Sequence, residues 1–277
     1  MRRVGTPPLV LVGGGLVGGL VIVALLAPAL APYDPRELAG DSLQAPSGRH
    51  LLGTNNIGQD VLSQLIWGAR SSLVVATTTA LLAVGVGAMV GLSAGLTGGW
   101  VDNAAMRVVD VVLAVPRLPL LVLVAALAGA SRLSVVGVMA FLTWPVIARM
   151  VGSQALTLRQ RGFIQTARGF GAGLGYLIRR HLAPAVGPLL VAGFVAVAAN
   201  AVLMEASLAF LGLSDPTAVS WGLIVNRALA HPGLYFTAAW AWWLLPAGLA
   251  ITWAVLGFSF LGVGLEPALN PRWRRGS

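Results

Sequence analysis

The sequence predicts an all-α polytopic membrane protein with six transmembrane helices. Of its 277 residues, 57% are hydrophobic and only 10% are charged, whereas a soluble domain of this length carries roughly 25% charged residues. Several windows exceed the roughly 18 uncharged residues that mark a membrane span. The six predicted spans cover about residues 9–30, 72–96, 108–130, 133–150, 184–213 and 236–265. The segments between them leave no room for a large soluble core.

The first span follows Arg2 and Arg3, and a cleaved signal peptide is the alternative interpretation. Ala29-Leu30-Ala31 has the small-x-small form of a cleavage site. However, the apolar run of about 22 residues is longer than the roughly 7–15 residues of a signal-peptide core, so we expect an uncleaved helix. The predicted parts of the chain are an N-terminal helix (1–31), an extracytoplasmic segment (32–70), a five-helix core (71–265) that includes a basic loop (154–184), and a tail (266–277).

Polar segments separate the later spans. Residues 31–70 are rich in Pro, Asp and Gly, a short turn is predicted at residues 98–102, and the third span contains Pro116. Residues 214–234 separate the fifth span from the sixth. The run Trp240-Ala241-Trp242-Trp243 that follows is typical of the aromatic belt at a membrane interface.

The loop between the fourth and fifth spans is the most distinctive part of the chain. It carries five arginines, at positions 159, 161, 168, 179 and 180. Thr157 and Gln160 have the spacing of a capping box, which predicts a helix over about residues 158–170. A glycine-rich break and a second short helix, over about residues 174–182, follow, and Pro184 suits the first turn of the fifth span. We expect this loop to dock on a partner.

Two residue types are missing, and each absence excludes a class of chemistry. Without Cys the chain forms neither disulfides nor thiolate metal sites. All 18 basic residues are Arg, so an ATP-binding G-x-x-x-x-G-K-[ST] loop, which requires Lys, is excluded. Any ATP chemistry must therefore lie on another chain. The net charge of +9 does not indicate nucleic-acid binding, because the arginines flank apolar spans.

The distribution of arginine predicts the orientation in the membrane. Six spans place both termini on one side, and twelve arginines lie on that side against five on the other, with Arg117 inside a span. Positively charged loops are retained in the cytoplasm. Both termini and the basic loop are therefore predicted to be cytoplasmic.

The basic loop resembles the E-A-A-x3-G-x9-I-x-L-P signature of bacterial ABC importer permeases. The aligned residues are Gln165, Thr166, Ala167, Gly171, His181, Ala183 and Pro184. Ala167, Gly171 and Pro184 fit the signature, and the other four depart from it. The sequence Arg180-His181-Leu182 is similar to the R-H-I-L-P variant of the dipeptide, oligopeptide and nickel branch.

Other segments resemble the same branch, and they occur in the same order. Residues 50–63 (HLLGTNNIGQDVLS) are similar to H-P-L-G-T-D-x-x-G-R-D-V-L-S, and residues 205–213 (EASLAFLGL) to E-A-S-L-S-F-L-G-L. Shorter matches occur at residues 67–73, 98–102, 106–110, 220–222 and 269–272. Together they extend over nearly the whole chain, which resembles the second permease subunit of these importers.

This resemblance implies a type I, MetI-like permease fold with a cytoplasmic coupling helix and no catalytic activity. It implies a heterodimer with a homologous permease, two cytoplasmic subunits that bind ATP and Mg²⁺, and an extracytoplasmic substrate-binding protein, all at the bacterial inner membrane. The coupling helix would sit in a groove on one ATPase as a rigid lever anchored to the fifth span. The implied ATPase-coupling residues are Gln165, Thr166, Ala167, Arg168, Gly171, Arg180, His181 and Pro184.

The implied cargo is a dipeptide or oligopeptide, with a nickel chelate as the alternative. Residues 221–226 differ from the peptide subtype and slightly favour nickel. His50, His181 and His231 are far apart and do not have metal-ligand spacing, so they give no argument for nickel.

Several residues have both a functional and a structural interpretation. Glu205 and Arg117 are charged residues within spans; they line the translocation path, or Glu205 pairs with a neighbouring group and Arg117 extends toward the interface. Gln165 docks on the ATPase or is simply exposed. Gly171 lies at a helix–helix contact or supplies a left-handed helix end. Arg107 and Asp110 are spaced to pair on one helix.

Two other classes of function compete with an importer permease. A stand-alone secondary transporter or channel predicts inverted repeats, and the basic loop has no counterpart in the first half of the chain. An intramembrane enzyme predicts clustered catalytic side chains, but the nine acidic residues are scattered. Co-purification of ATP-binding subunits distinguishes a permease from both.

Overall fold

The computed structural model describes residues 8–128, 131–215 and 217–269, which contain helices, loops and one isolated β-bridge but no strand. The basic tail from residue 270 onward lies outside these ranges. The helices are α1 (Pro8–Leu25), α2 (Ala27–Leu30), α3 (Val61–Thr97), α4 (Gly99–Ala114), α5 (Arg117–Ala128), α6 (Arg132–Arg159), α7 (Gly162–Gly169), α8 (Leu174–Leu177), α9 (Ala183–Phe210), α10 (Trp221–Leu229) and α11 (Leu245–Leu269). Two π-helical turns, Ile178–Leu182 and Trp240–Leu244, run directly into α9 and α11.

The predicted all-α membrane architecture is confirmed. Five helical segments are each long and apolar enough to cross a membrane: Pro8–Leu25, Val61–Thr97, Arg132–Arg159, Leu174–Phe210 and Trp240–Leu265. The predicted third span is a pair of helices, Gly99–Ala114 and Arg117–Leu127, bent by 78° and apolar enough when taken together. The six predicted spans thus correspond to five single segments and one bent pair.

The bend in the third span lies at Pro116. Val115, the residue before it, has extended backbone angles of φ −76° and ψ 127°, because the proline ring disfavours helical geometry in its predecessor. Proline also lacks the N–H that would continue the helical hydrogen bonds. The apolar pattern alone predicted an unbroken span here, whereas α4 ends at Ala114 and α5 begins at Arg117.

Helix α3 is the central helix of the bundle and packs closely on α6. Gly87, Gly91 and Gly95 lie one turn apart on the face toward α6, and a Cβ atom at Gly91 would lie 2.6 Å from the carbonyl oxygen of Ala148. Only glycine permits this approach, as in the small-xxx-small packing of membrane helices. The two helix backbones therefore touch directly over about two turns.

The start of α3 lies earlier than the predicted position near residue 72. The Asp60 carboxylate accepts a hydrogen bond from the backbone N–H of Ser63 at 2.8 Å, so α3 begins at Val61. Aspartate in this N-cap position satisfies a backbone donor that has no partner within the helix. The last part of the segment predicted to be extracytoplasmic is therefore the first part of α3.

The segment before α3 folds against the α9–α10 connection at one end of the bundle. The Arg36 guanidinium donates to the carbonyl of Thr217 at 2.9 Å. The Trp221 indole donates to the carbonyl of Leu65 at 3.0 Å. Within the segment, His50 Nδ1 and Asp60 Oδ1 are 2.9 Å apart and both side chains are buried.

Three local predictions are wrong. The capping box at Thr157 does not form, because α6 continues through Arg159 and the Thr157 hydroxyl donates to the Ser153 carbonyl at 3.1 Å. The loop helix is therefore α7 rather than a helix from residue 158. The turn predicted at residues 98–102 is shorter, since α4 begins at Gly99. Finally, Asp110 pairs with Arg149 on α6 instead of with its helix neighbour Arg107.

Candidate coupling site

Helix α7 lies at the opposite end of the bundle and carries the predicted coupling residues. Its Ile164 side chain is fully buried, whereas its Gln165 and Thr166 side chains are exposed. Ala167 is half-buried and packs against the core. One face of α7 therefore anchors the helix, and the opposite face, with Gln165 and Thr166, is free to meet a partner.

The end of α7 is a Schellman motif built on Gly171. Gly171 has a φ of +82°, its N–H donates to the Arg168 carbonyl at 2.9 Å, and the Ala172 N–H donates to the Ala167 carbonyl at 3.0 Å. This pair of bonds satisfies carbonyls that the helix leaves free. A Cβ at Gly171 would meet nothing within 4 Å. Within this chain, Gly171 supplies a left-handed helix end and not a helix–helix contact.

Arg168 follows Gln165 by one turn of α7 and lies on the same side of the helix, but its side chain reaches back to the bundle. Its guanidinium donates to the carbonyl of Leu96, in the last turn of α3. Arg159, the last residue of α6, lies against Gly98, the residue that follows α3. An open cleft of about 450 Å³ lies beside these two arginines and is lined by Leu156, Arg159, Gln160, Gln165 and Arg168.

The remaining predicted coupling residues lie on the connection from α7 to α9. The His181 ring contacts the rings of Phe163 and Tyr176, each at a centroid distance of 5.7 Å. Arg180 is exposed. Pro184 lies in the first turn of α9, as predicted. The structure thus brings His181 against α7 through Phe163 and leaves Arg180 open to solvent or a partner.

Glu205 and Arg117, the two possible path-lining residues, lie outside α7, on α9 and at the start of α5. The Glu205 side chain is buried and accepts a hydrogen bond from the Ser72 hydroxyl of α3 at 3.1 Å. The Ser220 hydroxyl is its second partner. Arg117 is half-buried at the start of α5, beside the bend. Glu205 therefore has neighbouring hydrogen-bond partners, as its structural interpretation requires. The path-lining role of Glu205 and Arg117 stays a prediction.

Sequence reasoning missed three residues that shape this end of the bundle. Ile164 anchors α7, and its spacing from Ala167 could have revealed the buried face. Arg159 and Leu96 meet other helices only in the folded chain, so no local pattern marks them. Among the described residues, no group of three or more His, Asp or Glu side chains could hold a metal ion.

Comparison with known sequences identifies the family. Residues 87–275 match the family model described as "Binding-protein-dependent transport system inner membrane component". A putative peptide permease protein of Brucella suis is 39% identical over 260 residues, which cover 93% of this chain and 85% of that protein. The glutathione transport system permease protein GsiD of Pectobacterium atrosepticum is 34% identical over 256 residues, or 91% and 83% of the two chains.

One further sequence and one solved structure are also similar to this chain. The dipeptide transport system permease protein DppC of Alkalihalophilus pseudofirmus is 31% identical over 269 residues, or 96% of this chain and 86% of that protein. A chain of the MetNI methionine ABC transporter in an inward-facing conformation superposes with a TM-score of 0.55 and 19% identity, over 78% of this chain and 97% of that chain. At this identity the superposition supports the MetI-like fold alone. The chain belongs to the family of binding-protein-dependent transport system inner membrane components, and it is a multi-pass permease subunit of an ABC importer.

Proposed function

We propose that this permease forms half of a translocation path for dipeptides or oligopeptides. The observation that carries the proposal is the similarity, at 31–39% identity and over more than nine-tenths of the chain, to permeases named for peptides, dipeptides and glutathione. Glutathione is itself a tripeptide, so the three names share one chemistry. The same similarities speak against the nickel alternative, and the three scattered histidines add nothing in its favour.

The proposed complex contains a homologous second permease, two cytoplasmic ATP-binding subunits and an extracytoplasmic binding protein. ATP and Mg²⁺ belong to the ATP-binding subunits in this proposal, because this chain lacks the Lys that a phosphate-binding loop requires. We place both termini and α7 in the cytoplasm. The support for this orientation is the excess of arginine on the side of the termini.

Helix α7 is the proposed contact with the ATP-binding subunit. Gln165 and Thr166 are exposed on the face opposite to the buried Ile164, and Arg180 is exposed nearby in the chain. In this arrangement the partner meets a polar face on a helix whose other face is fixed in the bundle. Gln165 offers both a hydrogen-bond donor and an acceptor but carries no charge.

The docking role of Gln165 is tested by Gln165→Arg, with Gln154→Arg as the matched control. Gln154 is also exposed but lies on α6, outside α7. The complex is purified through a tag on this chain, and the amount of ATP-binding subunit that accompanies it is measured. We expect Gln165→Arg to lower that amount and Gln154→Arg to leave it unchanged. Equal recovery in both variants would contradict docking at Gln165.

The proposed cargo is tested with the whole complex in proteoliposomes. Uptake of a radiolabelled dipeptide, a pentapeptide and ⁶³Ni²⁺ is measured with and without ATP and the binding protein. We expect uptake of peptide that depends on both additions. Uptake of nickel alone would overturn the peptide assignment, and uptake without any ATP-binding subunit would overturn the importer assignment.

A further inference from the structure

The C-terminal end of α3 receives two arginines from other helices. A helix end leaves backbone carbonyls without partners and carries partial negative charge. The last turn of α3 contains no basic residue of its own. Arg168 of α7 supplies a hydrogen bond to the Leu96 carbonyl, and Arg159 of α6 lies against Gly98. The positive charge that faces the free carbonyls at the end of α3 therefore comes from α6 and α7.

Helices α3, α6 and α7 form one closely packed unit at this end. The α3–α6 interface has direct backbone contact at Gly87, Gly91 and Gly95. Only Gln160 and Arg161 separate α6 from α7, and the Arg161 N–H donates to the Leu158 carbonyl at 2.9 Å. With Ile164 buried beneath it, α7 is held by its start, its underside and its Arg168.

The connection from α7 to α9 contains a break at Gly171–Gly173, after which the chain is helical from Leu174 into α9 and is anchored by the buried Leu177 and Leu182. It passes through Gly171, with a φ of +82°, and then through the π-helical turn Ile178–Leu182. Positions such as Gly169, Gly171 and Gly173 face open space. Small residues at the end of a helix are common hinge positions, so the break at Gly171–Gly173 is where α7 and α9 can move relative to each other. The contact between the His181 and Phe163 rings is less directional than the hydrogen bond from Arg168 to Leu96. It therefore resists a displacement of α7 less strongly.

We propose that Arg168 is a positioning residue that fastens α7 to the end of α3, so that a displacement of α7 reaches the α3–α6 pair first and α9 second. This inference rests on the proposed function, because it assumes that an ATP-binding subunit moves α7. It differs from the expectation of a lever anchored to the fifth span. It also assigns the Arg168 guanidinium to a contact within this chain and leaves the partner contact to Gln165 and Thr166.

Distance measurements test the route of the motion directly. The chain contains no Cys, so spin labels attach only at introduced cysteines. One pair joins Thr97, at the end of α3, to Phe170, the residue that follows α7; the other joins Phe170 to Val191 of α9. All three side chains are exposed. Distances are measured by pulsed electron paramagnetic resonance in the complete complex, without nucleotide and with ATP trapped.

We expect the 97–170 distance to stay constant on ATP trapping and the 170–191 distance to change. A change in the 97–170 distance as large as that in the 170–191 distance would overturn the proposal. Absence of any ATP-binding subunit from the purified complex would instead contradict the proposed function, and the two failures are therefore distinguishable.

Substitutions at Arg168 give the second test, with Arg179→Met as the control. Arg179 is an exposed arginine of the same loop. Loss of one hydrogen bond from a charged donor predicts that Arg168→Met lowers peptide uptake about tenfold, while the ATP-binding subunits still co-purify. Arg168→Lys retains a donor and should restore at least half of the uptake. Co-purification lost in Arg168→Met but retained in Arg179→Met would show instead that Arg168 contacts the partner.

Discussion

The Glu205 carboxylate of α9 and the Ser72 hydroxyl of α3 are 3.1 Å apart in the interior of the bundle. Both side chains are buried, and the two residues lie 133 positions apart in the sequence. Ser220, at the start of α10, contacts the same carboxylate. One acidic side chain thus joins three helices at a place where unpaired polar groups are costly.

This arrangement predicts different effects for two substitutions of Glu205. Glu205→Gln keeps an acceptor for the hydroxyls and should leave the thermal stability of the detergent-solubilised protein nearly unchanged. Glu205→Ala removes the acceptor, leaves buried hydroxyls without a partner and should cost about 1–3 kcal/mol, which thermal unfolding followed by size exclusion would detect. If Glu205→Gln abolished peptide uptake at unchanged stability, Glu205 would have a role in the path beyond this structural one.

The second prediction concerns the contact between α3 and α6. A Cβ at Gly91 would lie 2.6 Å from the Ala148 carbonyl oxygen, whereas a Cβ at Gly85 of the same helix would meet nothing within 4 Å. We expect Gly91→Ala to separate the helices and to lower the melting temperature. Gly85→Ala should be neutral or stabilising, because alanine favours a helix by about 1 kcal/mol over glycine in a solvent-exposed helix. Equal effects of the two substitutions would contradict backbone contact at Gly91.

The spans follow from composition, but the contacts between them do not. Within the described ranges, long and mostly apolar runs locate the five single membrane-crossing segments, because charged side chains are costly in lipid. The bond from Arg168 to Leu96 joins residues 72 positions apart, and the pair of Arg149 with Asp110 joins residues 39 apart. No local pattern predicts such partners. For Asp110, the nearer Arg107 was therefore the natural but wrong prediction.

Helix ends show a second limit of sequence reasoning. Thr157 has the spacing of an N-cap residue, yet its hydroxyl bonds to the carbonyl four residues earlier, within α6. Ser and Thr can form either bond, and the bond within the helix forms here because α6 continues through Arg159. Gly171 was easier to interpret, since a glycine after a basic last turn is typical of a left-handed helix end.

The third prediction concerns the end of α7. Gly171 has a φ of +82°, a conformation that costs other residues about 1–2 kcal/mol. We therefore expect Gly171→Ala to fray the end of α7, with faster hydrogen exchange at the amides of residues 168–172. Gly171→Asn should have a smaller effect, because asparagine tolerates this conformation. Gly169→Ala, inside the helix and facing open space, is the control and should not raise exchange. Slower or unchanged exchange in Gly171→Ala would contradict the left-handed cap.

The fourth prediction concerns Asp60, which performs two tasks at once. One carboxylate oxygen accepts the Ser63 N–H at 2.8 Å, and the other is 2.9 Å from His50 Nδ1. Asp60→Ala removes the cap of α3, at a cost of about 0.5–2 kcal/mol, and also leaves the buried His50 without its partner. Asp60→Asn keeps one oxygen for the cap but loses the charge and replaces the other oxygen, which faces His50 Nδ1, with an amide donor. We therefore expect the stability of the protein to fall in the order wild type, Asp60→Asn, Asp60→Ala. The segment before Val61 should become sensitive to added protease in the same order.

Asp34→Ala, an exposed substitution in the same segment, is the control. Should Asp60→Ala match it in both measurements, the carboxylate would not be what holds this segment on the end of α3.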